Sequence, residues 1–476
     1  MSSTSLAFDD ASPYVKRRDW QIISLIGAVH ASSHFFQLLL PTLYLSLAHE
    51  YGYDFARLGL LASLFFLVSC LGQASSGFVV DRIGPAPVLR FGLVLFIVSA
   101  LLIAVSGSYP VLMLAAVIGG IGNSVFHPVD YSIINHRVSA PRLGHAFSVH
   151  GLTGNLGWAL TPVFMATLIH LFNWRIATLA AGGLIGVVLF FTWLGRDLLA
   201  GRNQTVDARS GAQVQVDTAS SMGKDAVRGE APAGAVPGAE TRAEATVAPA
   251  STSATLTTST SAGPDLSKQT AWQTLLTLLA QPALWGAFLF FMFSSIALSA
   301  VQNYTIPMLG QVYGIDKVLA GTTLSAYMLT AALGMLAGGF LVGATPNTER
   351  TVALSLVLAG LFLLLLASGA VPSTIAMVLV GLAGFCSGLA APSRDMLIRR
   401  VTPKGATGTV YGLVYSGMDV GSSLAPAAFG LMLDAQLAMA PWVGAAVAFV
   451  AAAGLAMWVA YAASQAEASG LRVSTS

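Results

Sequence analysis

The chain has 476 residues, of which 55% are hydrophobic and only 9% charged, with a formal net charge of +2. Soluble domains carry roughly a quarter of their residues as charges, and twelve successive apolar runs could not share one soluble core, so a soluble globular fold is excluded. Cys70 and Cys386 each lie within an apolar run, which argues against a disulfide framework and for small-residue packing.

Residues 1–20 are polar and read as a cytoplasmic tail without a cleavable signal; the first membrane helix is then the targeting signal. Helices are predicted near 21–48, 57–80, 89–106, 110–135, 143–169 and 174–194, then near 281–311, 318–343, 351–369, 373–398, 405–433 and 441–462. The uncharged runs Leu58–Val80, Leu93–Val105, Ala177–Leu194 and Ala353–Leu366 mark their cores. At 1.5 Å per residue several of them cross a hydrocarbon layer of ~30 Å. The fold class is all-α integral membrane, with twelve transmembrane helices in two six-helix bundles at 21–195 and 271–463. Residues 464–476 are a second cytoplasmic tail. Between the bundles, 196–270 holds seven basic and eight acidic side chains among Ala, Thr, Ser and Gly. It buries too little apolar surface to offset its ordering entropy and reads as a disordered cytoplasmic linker.

With a cytoplasmic N-terminus, only Arg57, Arg175 and Lys317 of the 23 basic residues fall in outer loops. The bias places both termini in the cytoplasm.

Polar groups inside the spans demand a reason, because a charge in a bilayer costs several kcal/mol unless paired or hydrated. His30 and His34 are four apart, on one face of the first helix and near its middle. They line a substrate cavity, or make packing hydrogen bonds, or begin a metal site. No further ligand accompanies the pair, so no metal is expected. Asp130 and His150 stand ten residues either side of the turn near Ala140, which places them at similar depth in an antiparallel hairpin. A carboxylate beside an imidazole either exchanges protons with a gradient or forms a structural pair. His127 precedes a helix-kinking Pro128 and faces either freed backbone or substrate. In the second bundle Arg394 and Asp395 point about 100° apart on their helix. Arg394 suits a gate pair or an anionic-substrate anchor. Asp419, mid-way along the eleventh helix, is a further candidate proton carrier. Gln37, Asn155, Gln302, Asn303, Tyr304 and Tyr327 fall at cavity depth and serve substrate binding or polar packing.

One pattern occurs twice. Gly120, Pro128, Gly144, Gly157 and Pro162 reappear 264 residues on as Gly384, Pro392, Gly408, Gly421 and Pro426. Asp130 thereby corresponds to Arg394 and Asn155 to Asp419. Two related halves in an apolar chain signal a transporter architecture. The loop after the second helix reads Gly77-Phe78-Val79-Val80-Asp81-Arg82-Ile83-Gly84. With the twelve helices and central linker, this G-x-x-x-D-R-x-G loop resembles the signature of the major facilitator superfamily, where it tethers neighbouring helices. Pro85-Ala86 replaces the family's following basic pair, and the equivalent Gly339–Gly343 lacks the acid. Ser124-Val125-Phe126-His127-Pro128 and Gly151-Leu152-Thr153-Gly154-Asn155-Leu156-Gly157 resemble the fourth and fifth helices of the fosmidomycin-resistance branch, whose members are regarded as drug exporters. His30, Gln37 and Tyr44 are compatible with that branch. Leu112 to Ile118 are all apolar, so the buried arginine of many proton-coupled exporters is missing.

The resemblance implies alternating access, a small-molecule substrate, a proton gradient, a lipid bilayer, a monomer and a location in a bacterial-type inner membrane. Export of drug-like compounds is the expected activity. The alternatives are uptake of an organic acid or metabolite, and a non-transporting sensor or assembly factor. No nucleophile–base set, phosphate-binding loop or metal-ligand spacing is visible, so neither an enzyme, a cofactor nor a nucleic-acid partner is expected.

Overall fold

A computed structural model describes residues 12–199, 280–345, 347–401 and 407–473. Every regular element among the described residues is helical. Among the described residues eleven helices are long and apolar enough to cross a membrane, from Pro13–Tyr51 to Ala440–Gln465, and Thr407–Asp434 adds a twelfth long helix, of 28 residues. The spans of the first half are Pro13–Tyr51, Phe55–Ile83, Pro85–Val105, Tyr109–Arg137, Leu143–Leu171 and Trp174–Leu194. Those of the second half are Pro282–Tyr313, Lys317–Ala344, Thr348–Ala367, Ser373–Val401, Thr407–Asp434 and Ala440–Val473. They are numbered first to twelfth. Of the expected linker only Arg196–Leu199 is described, as one helical turn; 200–270 lies outside the described residues.

Two boundaries differ from the sequence expectation. The first helix starts at Pro13 rather than near 21, because Ser12 Oγ accepts from Val15 N at 3.3 Å and the proline occupies the first turn. This extension brings in Asp19, whose buried carboxylate accepts from Arg142 Nε at 2.6 Å and Ser139 Oγ at 2.5 Å, tying the first span to the turn between the fourth and fifth. The twelfth helix likewise runs on to Val473.

Proline sets the breaks inside spans. The first span is interrupted at Leu38 and the fourth at Ser124–Val125. Pro41 and Pro128 stand three to four residues further on, and each lacks the N–H that would bond the carbonyl four residues back.

The end of the bundle carrying the turns at 52–54 and 314–316 is called distal here, and the end carrying Gly84 and Ser139 proximal. Gly52 (φ 67°) and Gly314 (φ 64°) close the first and seventh spans in the left-handed region, which a residue without Cβ adopts freely. Two residues after each glycine an aspartate caps the next helix: Asp54 accepts from Arg57 N, and Asp316 from Val318 N and Leu319 N. The pseudo-symmetry thus includes the distal turns.

The repeated glycines mark close helix crossings. A Cβ at Gly120 would collide with the Phe65 carbonyl oxygen, and one at Gly384 with that of Tyr327. Gly157 is pressed against Ala31 O and Gly421 against Met292 O, so the fifth span packs on the first as the eleventh packs on the seventh. Gly144, by contrast, has nothing within 4 Å of its Cβ direction, so packing does not account for its recurrence.

The halves meet through two antiparallel pairs: the second span with the eleventh, and the fifth with the eighth. The repeated prolines explain themselves here. After Pro426, the Ala427 N–H donates to Ser63 Oγ at 3.2 Å; after Pro162, the Val163 N–H donates to Ser325 Oγ at 3.0 Å. Gly59 and Gly321 admit the Pro426 and Pro162 carbonyls beside these bonds. Each half therefore contributes one proline helix and one glycine–serine helix. At the distal end of the first pair, Asp434 accepts from Phe55 N at 2.9 Å and Ala56 N at 2.7 Å, capping the second span from across the molecule.

Candidate functional site

The fold gathers the polar residues of the first half into one cluster. His30 from the first span, His127 and Asp130 from the fourth, and His150 from the fifth come together, with His34 alongside. Asp130 Oδ2 is 3.2 Å from His30 Nδ1 and 3.2 Å from His150 Nε2. The His30 and His150 rings stack with centroids 3.5 Å apart and planes 22° apart. His127 lies 5.3 Å from His30 by ring centroids, and His34 4.4 Å. Asp130 is 0% exposed and its second oxygen, Oδ1, has no hydrogen-bond partner; nor has buried His34 Nδ1.

Local sequence explains the assembly. Asp130 and His150 each stand seven residues from the Arg137–Leu143 turn, so helix rise places both about 10 Å from it. Gly154 makes room for the first span, since a Cβ there would sit 2.8 Å from His34 Cε1 and 2.9 Å from His30 Nε2. The break before Phe126 aims His127 at the same spot. One carboxylate oxygen accepting from two imidazoles selects a tautomer for each ring, with the proton on the nitrogen that faces the acid.

Adjacent to the cluster runs a chain of amides. Trp158 Nε1 donates to Gln37 Oε1 at 3.0 Å, and Gln37 Nε2 to Asn123 Oδ1 at 3.1 Å. Asn123 Nδ2 donates in turn to Ser69 Oγ at 2.8 Å. Trp158 also lies against His34, with centroids 4.1 Å apart. Gln37 therefore joins the histidine face to the second span. Asn155 does not join it; its Nδ2 bonds Gly151 O within its own helix.

The second half offers a different surface. Arg394 lies over the Phe291 ring at 4.9 Å, while the carboxylate at its repeat position, Asp130, faces the histidines of its own half. The side chains of Asp395 and Asp81 lie outside the described residues. Gln302 is buried with Nε2 unpartnered. Asn303 accepts from Tyr44 OH at 2.9 Å, and Tyr304 OH donates to Pro426 O, so both spend polar atoms on helix junctions at the distal side. Tyr327 pairs with Ser387 Oγ at 3.2 Å inside the second half. Asp419 lies at the second–eleventh junction, where Oδ2 accepts from Gln73 Nε2 at 3.5 Å.

In the signature loop, Gly84 has φ 86°, so its glycine is required by the backbone that links the second span to Pro85 of the third. Gly77 meets nothing within 4 Å and Arg82 is exposed.

Two helical bundles packed as pseudo-symmetric halves are an architecture found among secondary transporters. The family model for the Major Facilitator Superfamily matches residues 25–426 and 288–472. The chain belongs to the major facilitator superfamily. It is 31% identical over 159 residues to the fosmidomycin resistance protein of Escherichia coli (strain K12), a stretch covering 33% of this chain and 39% of that relative. It is 21% identical to the probable L-galactonate transporter of the same organism over 400 residues, 82% of this chain and 78% of that one. The chain spans well under half the length of the first curated relatives it matches. A solved bacterial homologue of the human lysosomal transporter Spinster shares the fold, with TM-score 0.64 at 14% identity, covering 97% of this chain and 98% of that one. A fosmidomycin-resistance protein is thus among the relatives, in keeping with the residues at 124–128 and 151–157.

Proposed function

We propose that this protein exports a small organic solute of drug-like or phosphonate type across a bacterial inner membrane in exchange for protons. Its halves rock against each other, and both termini face the cytoplasm. The observation that carries the reading is the placement of Asp419. Its carboxylate stands between the halves, and the hydrogen bond it accepts comes from Gln73 of the opposite half. Rocking changes the surroundings of such a group from protein to water, and a carboxylate that alternates between those environments binds its proton differently in each state. Asp130 and its histidines sit inside one half and travel with it, so they hold its geometry. The fosmidomycin-resistance relative favours export, and the basic-residue bias favours the orientation.

A second reading, uptake of an organic acid, is favoured by the relative described as a probable L-galactonate transporter, which aligns with most of the chain. The two are separated in inside-out vesicles carrying an imposed proton gradient and a pH-sensitive dye. A solute panel of fosmidomycin and simple carboxylates is added. Proton efflux on adding a solute, abolished in Asp419→Asn, is the result expected. Silence of the dye with every solute, together with radiolabelled carboxylate uptake into intact cells, overturns export in favour of uptake.

A further inference from the structure

We infer that His30, His127 and His150 form a binding site for a divalent transition-metal ion of the zinc class. Their ligand nitrogens, one per residue, all lie within 4.8 Å of one another and come from three different spans. Sequence spacing offered only the pair His30 and His34; the fold replaces His34 by two imidazoles from the fourth and fifth spans. Tetrahedral coordination at 2.0–2.1 Å would draw three nitrogens to roughly 3.3 Å apart, which requires the His30 and His150 rings, stacked with planes 22° apart, to turn out of their stack.

Three further observations point to a cation. First, Asp130 Oδ2 accepts from His30 and His150, the arrangement in which an outer carboxylate holds metal-ligating imidazoles in the right tautomer. The ring nitrogen opposite each hydrogen bond is left with its lone pair. Second, Asp130 is fully buried with Oδ1 unpartnered, and its recorded partners are both imidazoles. A buried carboxylate with half its acceptor capacity unused is costly, and a nearby dication offsets that cost. Third, the cluster is not sealed: His127 is half-buried and Tyr131, beside it with ring centroids 6.0 Å apart, is 41% exposed. An imidazole donor set with an acid in support suits zinc, cobalt or nickel and disfavours magnesium and calcium, which take oxygen ligands. Because all the ligands belong to one half, the ion is a resident tie between the first, fourth and fifth spans and not transported cargo.

The test uses the full-length chain without a histidine tag, purified in detergent, stripped with chelator and titrated with Zn²⁺ by calorimetry and with Co²⁺ by visible absorption. The expected result is one saturable site per chain, with cobalt ligand-field bands, no response to Mg²⁺, and a higher melting temperature on loading. His127→Ala, at the partly exposed edge and the variant least expected to disturb folding, weakens binding at least tenfold, as do His30→Ala and His150→Ala. Asp130→Asn weakens it by about 10- to 100-fold, the range typical of outer-shell partners. His49→Ala and His170→Ala leave it unchanged. Absence of saturable binding, or binding that survives His127→Ala and disappears with His49 or His170, overturns the site. The transport reading stands or falls separately, because this readout needs no flux.

Discussion

Asp130 and Asp419 are both acids inside the membrane-spanning region, yet the protein treats them oppositely. Asp130 lies within one half, fully buried, and is gripped by two imidazoles of that half. Asp419 lies between the halves, where among the described residues its carboxylate accepts one side-chain hydrogen bond, from Gln73 at 3.5 Å. A charge whose partners move with it fixes a structure; a charge whose partner sits on the other moving body reports, and can drive, a change of state. If the halves rock as proposed, location relative to them separates the two acids more than depth along the helices does.

Substitutions can break this contrast, the largest effect coming from the junction itself. Gly59→Leu drives a side chain into the Pro426 carbonyl, so the halves cannot close there. Solute flux is expected to vanish, with an introduced Phe55→Cys at the distal end of the junction becoming more accessible to an impermeant thiol reagent; normal flux would show that the junction does not have to close. Next, Asp419→Asn keeps the size and the Gln73 contact but removes the titratable group. Proton-linked flux should fall at least tenfold, while the melting temperature stays within a few degrees. Asp130→Ala should show the reverse emphasis. It leaves the His30 and His150 N–H groups unpaired in the interior, at a cost of about 1–3 kcal/mol, seen as a lower unfolding midpoint in detergent. If Asp130→Ala abolished flux without lowering that midpoint, the contrast between the two acids would collapse. The smallest effect belongs to Ser63→Ala and Ser325→Ala, each removing one interhelical hydrogen bond worth about 0.6 kcal/mol by comparison with measured membrane cases. The two should be equal within error, and a marked asymmetry would show that the junctions are not equivalent.

Much of this was legible in the sequence. The apolar runs gave the spans to within a few residues, apart from the two polar helical ends. Asp130 and His150 were correctly placed at one depth because a short turn makes their hairpin arithmetic reliable. His30 joining them was not legible, since the rotation and tilt of the first span depend on how it packs against Gly154 and Gly157. The same ambiguity left Asn303 and Tyr304 open between substrate binding and polar packing, and the structure shows them bonded at helix junctions. Ser63 and Ser325 escaped notice because they are 262 residues apart while the glycines and prolines repeat at 264. The two-residue slip between early and late spans masks them, although Gly52-Tyr53-Asp54 and Gly314-Ile315-Asp316 carry the same offset.

On the proposed rocking of the halves, the paired serine–proline junctions are placed to serve as a pivot. A rotation of one half about the line through Ser63–Ala427 and Ser325–Val163 leaves both hydrogen bonds intact. On the second span, Phe55 and Gln73 stand on opposite sides of Ser63, so they form the two arms of a see-saw. In the described state both arms are engaged at once, Phe55 and Ala56 on Asp434 at 2.9 and 2.7 Å and Gln73 on Asp419 at 3.5 Å, so a tip in one direction would part the distal clasp and a tip in the other would part Gln73 from Asp419.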